Sequence, residues 1–265
     1  MIYHNINPTI LKIGFLEIRW YGLMYIISFI IGYILLKKFY QMKGISISRD
    51  KYDNLLFYIM LGVIIGGRLG YIIFYNLPFY WEHPLHFFKV WLGGMSFHGG
   101  AIGVIFAGYI FSKKNKLSFY RLADPAMPLV SVGLFLGRIG NFINGELYGK
   151  ISTLPWAMVF PGSDGNPRHP SQLYEAFLEG ILLFFISYLI LKKTEVEGIV
   201  FWSWLGFYGI FRFLVEFVRE PDAHLGYILW IFTTGQLLSF AMILVSIIAL
   251  ILLVKRSRKN VEKSS

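Results

Sequence analysis

Cysteine is absent from the 265-residue chain. That excludes disulfides, thiolate metal sites and a thiol nucleophile of the chain's own, and it leaves the redox compartment unreadable. Charge is scarce too: 15% of residues are Asp, Glu, Lys or Arg, against 56% hydrophobic and a mean hydropathy of +0.58. Soluble domains carry roughly a quarter charged residues, so this composition is that of a membrane protein. Acidic residues are the scarcer sign, which leaves a net charge of +10. The basic residues sit in clusters between apolar stretches, where they set orientation in a bilayer, so no nucleic-acid partner is indicated.

Several chemistries lack their signatures. No HExxH occurs, and His83 and His86 have suitable metal spacing but no third ligand in their loop. Ser96 lies two residues from His98, but no GxSxG elbow surrounds it, so serine hydrolysis is not supported. The opening MIYHNINPTILKIG has neither the basic start, the apolar core nor the small-residue cleavage site of a secretory leader, and the first apolar stretch is expected to be retained.

What is present is a set of long apolar runs. A spanning helix needs roughly 20 such residues, and seven stretches qualify, near 18–36, 55–74, 90–111, 126–142, 173–191, 198–217 and 227–254. The fourth follows RLADPAMP, whose prolines suit a helix start. KKFYQMKGISISRDK, KKNKLSFYR, KK and KRSRK follow the first, third, fifth and seventh. These alternate ends hold most of the positive charge and are expected to face the cytoplasm. The expectation is an all-α integral membrane protein of about seven transmembrane helices, N-terminus outside and C-terminus cytoplasmic. Residues 1–265 read as one polytopic domain, and 143–170, rich in Gly, Pro, Asp and Asn, as an extracytoplasmic cap. Trp20, Tyr21, Trp81 and Trp91 read mainly as interfacial belt residues.

Against this background the arginines are expensive. Arg68 and Arg138 lie in matching GRLG and GRIG blocks, and Arg212 lies in FYGIFRFLVEFVRE, each near the outer end of an outward-running segment. A central intramembrane arginine costs about 2.5–3.5 kcal/mol, so three would total roughly 8–10 kcal/mol if none were compensated. Snorkelling to the headgroups would account for any one of them. Three together, with polar company, call for more. Arg212 and Glu216 stand four apart on one helix face and extend a stripe with Tyr208, while Asn141, Asn144 and Glu146 flank Arg138. Clustered guanidiniums in a low-dielectric cleft suit an anionic ligand, and at that depth the abundant anion is a lipid phosphate. Gly133, Gly137 and Gly140, like Gly62, Gly66, Gly67 and Gly70, are expected to allow close helix packing. His98 is expected one to two turns inside the third segment, between glycine pairs, as a packing residue or as a general base or hydrogen-bond donor.

The blocks RWYGLMY (19–25), GGMSFHGGAIG (93–103), RLADPAMP (121–128), GRIGNFINGELYG (137–149), RHPSQLYE (168–175) and YGIFRFLVEFVREPD (208–222) together make the chain recognisable. In order, and over nearly its whole length, it resembles the bacterial phosphatidylglycerol–prolipoprotein diacylglyceryl transferases. The resemblance implies an inner-membrane enzyme that moves the diacylglyceryl group of phosphatidylglycerol onto the lipobox cysteine of prolipoproteins. A thioether forms and glycerol phosphate leaves, with no metal or soluble cofactor expected. The family's important positions fall on Tyr21, His98, Arg138, Asn141, Glu146, Gly149, Tyr208, Arg212 and Glu216. Tyr21, His98, Arg138, Arg212 and Glu216 are then expected to be catalytic, with Arg138 as phosphate clamp and Arg212, oriented by Glu216, assisting it or helping to ionise the thiol. Arg138, Asn141, Glu146, Gly149, Tyr208 and Arg68 are expected to bind substrate. His98 would take the thiol proton or hydrogen-bond the headgroup. A transporter and a headgroup hydrolase are the rival readings; the halves of the chain do not otherwise repeat, and only the transferase needs a thiol acceptor.

Overall fold

The computed structural model describes residues 1–14, 16–89, 93–220, 227–228 and 232–262. They form two compact units, residues 40–123 and residues 1–39 with 124–265.

The smaller unit is built on a glycine seam. Helices α2 (Arg49–Tyr75) and α4 (Phe97–Lys114) run against each other, with α3 (Leu77–Glu82), a 3₁₀ turn (Pro84–Phe88) and α5 (Phe119–Ala123) around them. A Cβ on Gly62 would stand 2.6 Å from the carbonyl oxygen of Gly103, and one on Gly70 would stand 2.7 Å from Gly99 Cα. Backbones this close exclude any side chain, which is the expected use of these glycines. α4 starts later than the apolar run suggests. Gly93 and Gly94 take φ of +81° and +78°, which no right-handed helix accepts, and Ser96 caps the helix by accepting from Gly99 N at 3.2 Å. Residues 90–92, including the expected belt residue Trp91, lie outside the described set.

The larger unit holds α1 (Trp20–Met42, to Phe39), α6 (Met127–Asn144), α7 (Ser171–Glu175), a π-helical stretch (Ala176–Leu182), α8 (Leu183–Lys193), α9 (Ile199–Val215) and α10 (Thr234–Glu262). The prolines before α6 act as expected: Asp124–Ala126 make a 3₁₀ turn and Pro128 lies in the first helical turn. Asp124 caps a different helix. Its two carboxylate oxygens accept from Gly198 N at 2.7 Å and Phe201 N at 2.9 Å, filling the first turn of α9. Phe39, Leu191 and Val200 form a buried core, with Met127, Phe184 and Tyr188 packed on it. The last apolar stretch becomes helix only from Thr234, because β5 (Tyr227–Ile228) and β6 (Phe232–Thr233) pair ahead of it.

The rod from α7 to α8 carries a repeat of its own. Ser171, Glu175, Glu179, Leu183, Ser187 and Leu191 recur every four residues, and all six are buried. On an α-helix a four-residue spacing drifts by about 40° per step, so such a stripe would wind around the rod. The wider π turn in its middle takes up part of that drift and keeps the stripe inward.

Helices Trp20–Met42, Arg49–Tyr75, Phe119–Asn144, Ser171–Lys193 and Thr234–Lys259 are long and apolar enough to cross a membrane, and Ile199–Val215 is a shorter apolar helix. Their outward faces are bare aliphatic and aromatic surface: Phe29 is 55% exposed and Leu252 61%. Such surface is disfavoured in water and stable in lipid. The chain is an all-α integral membrane protein.

Short strands trim the ends of the helices. β2 (Thr9–Ile13) and β3 (Leu16–Arg19) form an antiparallel hairpin ahead of α1, and β1 (Ile2–Tyr3) pairs in parallel with β4 (Met158–Val159). The segment around β4 is held by Arg168, which grips Asp164 through two nitrogens at 3.1 and 3.2 Å, meets Glu220 at 2.9 Å and lies over the Tyr148 ring.

Candidate functional site: an arginine–glutamate network

The GRIGNFINGELYG block is a helix end. α6 closes at Asn144, and Gly145 takes the left-handed conformation (φ +69°) that lets its N–H return to the carbonyls of Asn141 and Phe142. The chain turns back so that Glu146 lies beside the last helical turn. Its Oε1 accepts from Asn141 Nδ2 at 2.8 Å and from Asn144 Nδ2 at 3.2 Å, and Arg138 Nη1 reaches Asn141 Oδ1 at 3.4 Å. Glu146 is exposed and Asn141 buried, so the acid anchors the edge of a polar wall that leads inward to Arg138.

Arg138 and Arg212 meet on one carboxylate. Arg138 Nε stands 2.6 Å from Glu175 Oε2, and Arg212 Nη1 stands 3.1 Å from the same oxygen. Arg212 Nη2 also pairs with Glu216 Oε1 at 2.7 Å, as their four-residue spacing requires, and Thr233 Oγ1 donates to the other Glu216 oxygen at 2.7 Å. Glu179 lies behind, 3.9 Å from both Arg138 Nη2 and Arg212 Nη1, and Arg219 stands 3.9 Å from Glu175. Glu175 and Glu179 are completely buried. Three cations against three carboxylates make the interior electrically balanced, which is what a low-dielectric setting demands.

This differs from a bare guanidinium cluster in one respect. The arginines are held from behind by carboxylates, so only part of each fork faces outward. Glu175 and Glu179 are members of this candidate site that sequence reasoning missed. Their signal was an acid pair four residues apart inside LYEAFLEGILLFF, where a lipid-facing helix would carry none. A π stretch at that same point is a second mark of a functional segment.

Tyr21, in the first turn of α1, packs its ring against α6 where Gly140 leaves room, and its hydroxyl is 3.1 Å from that of Tyr25. Gly140 is therefore a close-approach glycine, but Gly133 and Gly137 are not. Among the described residues nothing lies within 4 Å of where their Cβ atoms would be, so that flank of α6 is open rather than packed. Tyr208 stacks on Trp204 at 5.3 Å, and the Trp204 indole donates to Ser131 at 2.7 Å. Gly149 threads between two strand-like segments: its N–H donates to His169 O at 2.8 Å, and a Cβ there would stand 2.9 Å from His169 Cβ. Its position is a steric requirement of the backbone.

Arg68 and His98 belong to the smaller unit. Arg68 is 2% exposed, and its guanidinium donates to five main-chain carbonyls, those of His86, Phe87, Lys89, Gly93 and Gly94. Arginine has five N–H donors, so a phosphate could contact it only by displacing one of these carbonyls. His98 is not one to two turns inside its helix: it is the second residue of α4 and exposed, because the glycines before it postpone the helix start. Ser96 is accounted for as the cap. His83 and His86 face each other at 5.5 Å, and among the described residues no three metal-ligating side chains are grouped.

The fold and its charged interior define a polytopic helical membrane protein that carries a compensated polar site within its span. A family model described as prolipoprotein diacylglyceryl transferase matches residues 8–252. The chain is 51% identical over 256 residues to the phosphatidylglycerol–prolipoprotein diacylglyceryl transferase of Geobacter sulfurreducens, covering 97% of this chain and 98% of that protein. Those of Vibrio campbellii and Vibrio cholerae are each 48% identical over 254 residues, covering 96% of this chain and 93% and 94% of theirs. The chain belongs to the prolipoprotein diacylglyceryl transferase family, and it is a transferase of lipoprotein biosynthesis.

Proposed function

We propose that the protein carries out the first step of lipoprotein maturation, transferring the diacylglyceryl group of phosphatidylglycerol to the lipobox cysteine thiol of a prolipoprotein. In this reaction a carbon–sulfur bond forms at the glyceryl carbon and the carbon–oxygen bond to phosphate breaks. The bonding electrons leave on the phosphate oxygen, so glycerol phosphate departs. The chain's want of cysteine suits a nucleophile that arrives with the substrate.

The observation that carries this reading is the meeting of Arg138 and Arg212 on the buried Glu175. Negative charge grows on the phosphate as its ester bond breaks, so fixed guanidiniums stabilise the transition state beyond the bound lipid. Buried carboxylates fix the forks beforehand, which removes the reorganisation that flexible cations would need. Arg138 is the phosphate clamp, and Arg212, oriented by Glu216, supports it. Asn141, Glu146, Tyr208 and Tyr21 line the approach, and Gly149 supports the wall. A free thiol titrates near 8.5, so nearby positive charge or a base raises its reactive fraction at neutral pH. His98, exposed at the head of α4, is the candidate proton acceptor, and Arg68 serves substrate binding by shaping the loop it ties. The basic loops support placement in the bacterial inner membrane with the N-terminus and residues 143–170 on the extracytoplasmic side and the C-terminus in the cytoplasm. No metal or soluble cofactor enters the reading.

The test is an assay of purified enzyme with phosphatidylglycerol and lipobox peptides that carry or lack the cysteine. Transfer should require the thiol, and Arg138→Ala and Arg212→Ala should each lower kcat by about 10²–10³-fold or more, the scale for removing one transition-state donor. Lipid turnover without the thiol would instead make the protein a hydrolase, and full activity in the arginine variants would remove the clamp. Unchanged activity and pH profile in His98→Ala would remove the proton acceptor.

A further inference from the structure

Glu179 has no part in the reading above, and its setting is unusual. Both of its carboxylate oxygens are buried and, among the described residues, accept no hydrogen bond, although Arg138 and Arg212 stand only 3.9 Å away. Those arginines have given their short contacts to Glu175 and Glu216, at 2.6 to 3.1 Å. The charged and titratable groups that face Glu179 are Glu175 on its own rod, Arg138 on α6, Tyr208 and Arg212 on α9, and Arg219 just beyond α9. Glu216, at the end of α9, pairs with Arg212 at 2.7 Å and accepts from Thr233.

A carboxylate that is desolvated and not hydrogen-bonded keeps its charge only through the field of nearby cations. Here that field comes mainly from two guanidiniums that it does not touch. An anion bound to those guanidiniums from the other side cancels the field and adds a like charge. Of the three buried acids, Glu179 holds its charge by the weakest ties, because Glu175 and Glu216 each retain a direct ion pair. We propose that Glu179 takes up a proton when the anionic phosphodiester of a lipid headgroup binds at Arg138 and Arg212, and gives it back when the anion leaves. The site would then stay near neutral with and without its ligand, and Glu179 acts as a positioning residue through the arginines. The inference rests on the anion site proposed above.

The experiment is calorimetric titration of phosphatidylglycerol, in mixed micelles, into the purified full-length protein near neutral pH, in buffers of different ionisation enthalpy. Wild type should bind with uptake of a sizeable fraction of one proton per lipid, and its apparent Kd should rise with pH. Glu179→Gln should bind with no uptake and a flat pH profile, whereas Glu179→Asp, which keeps the acid, should restore uptake. Binding by wild type with no buffer-dependent enthalpy, or uptake undiminished in Glu179→Gln, would overturn the inference and leave the anion site standing. Absence of phosphatidylglycerol binding in wild type, or undiminished binding by Arg138→Ala, would overturn the anion site and the inference with it. If Glu179→Gln does not fold, the wild-type buffer series and the Glu179→Asp profile decide the matter.

Discussion

Single side chains in this protein are committed to more partners than their sequence neighbours suggest. Arg68 looks like the twin of Arg138, since both sit in a GRxG block, yet one serves five carbonyls and the other a carboxylate. Lysine offers three donors in place of five, so Arg68→Lys would leave at least two part-buried carbonyls without their partner. We expect a loss of about 2 kcal/mol or more, from about 1–3 kcal/mol per unmet group, read as a lower unfolding midpoint in detergent. Asp164 makes a second case. The Arg168 guanidinium and the Asn166 amide hold its carboxyl down at about 2, below the usual carboxylate value. A lowered folded-state value means stabilisation that is complete above the unfolded value and disappears as pH falls through about 4 towards 2. Hydrogen exchange around residues 163–168, corrected for intrinsic rates, should accelerate across that window in wild type. In Asp164→Asn it should be fast at every pH. The Arg68 partnership was not legible beforehand, because it serves carbonyls up to 26 residues away and backbone acceptors leave no mark in composition.

Helices were the legible elements, and their exact ends and partners were not. Each long apolar run holds a helix, because an apolar segment in lipid must satisfy its backbone internally, though in the third and the seventh it begins only at Phe97 and Thr234. Arg212 and Glu216 could be paired by spacing alone, and the Gly62, Gly66 and Gly70 seam by residue size. The Glu175 partnership could not, since Arg138 and Arg212 approach it from helices 37 residues away on either side. The same holds for Asp124, which reads as a loop residue and caps a helix that begins 75 residues later. Asp124→Ala removes that cap and leaves two N–H groups unmet. We expect a loss of about 1–2 kcal/mol, within the range of N-cap deletions, seen as earlier thermal unfolding and as faster exchange in the first turn of α9. Exchange confined to residues elsewhere would show that the cap is idle.

The whole molecule offers an unusually clean test of its orientation, because a chain without cysteine accepts single reporter thiols with no background. Asn166 and Lys113 are both exposed, one beside β4 and the other at the end of α4. Asn166→Cys should react with a membrane-impermeant maleimide in intact cells, and Lys113→Cys only after permeabilisation. The reverse pattern would invert the proposed topology and put the phospholipid site on the wrong leaflet for a secreted substrate.

One consequence belongs to the π-helical stretch between α7 and α8. The rod must aim acids one way at one end and seat Leu191 against Phe39 and Val200 at the other. Loss or gain of a single residue within 176–182, with the wide winding kept, would turn one end relative to the other by about a quarter turn. Either the glutamates would then be swung toward hydrocarbon, or the Leu183–Leu191 ridge would lose its seat. Phe177 and Ile181 already face outward and can be exchanged freely for other oily residues. What this segment guards is its length, so an insertion or deletion here should be far more damaging than any substitution on its outer side.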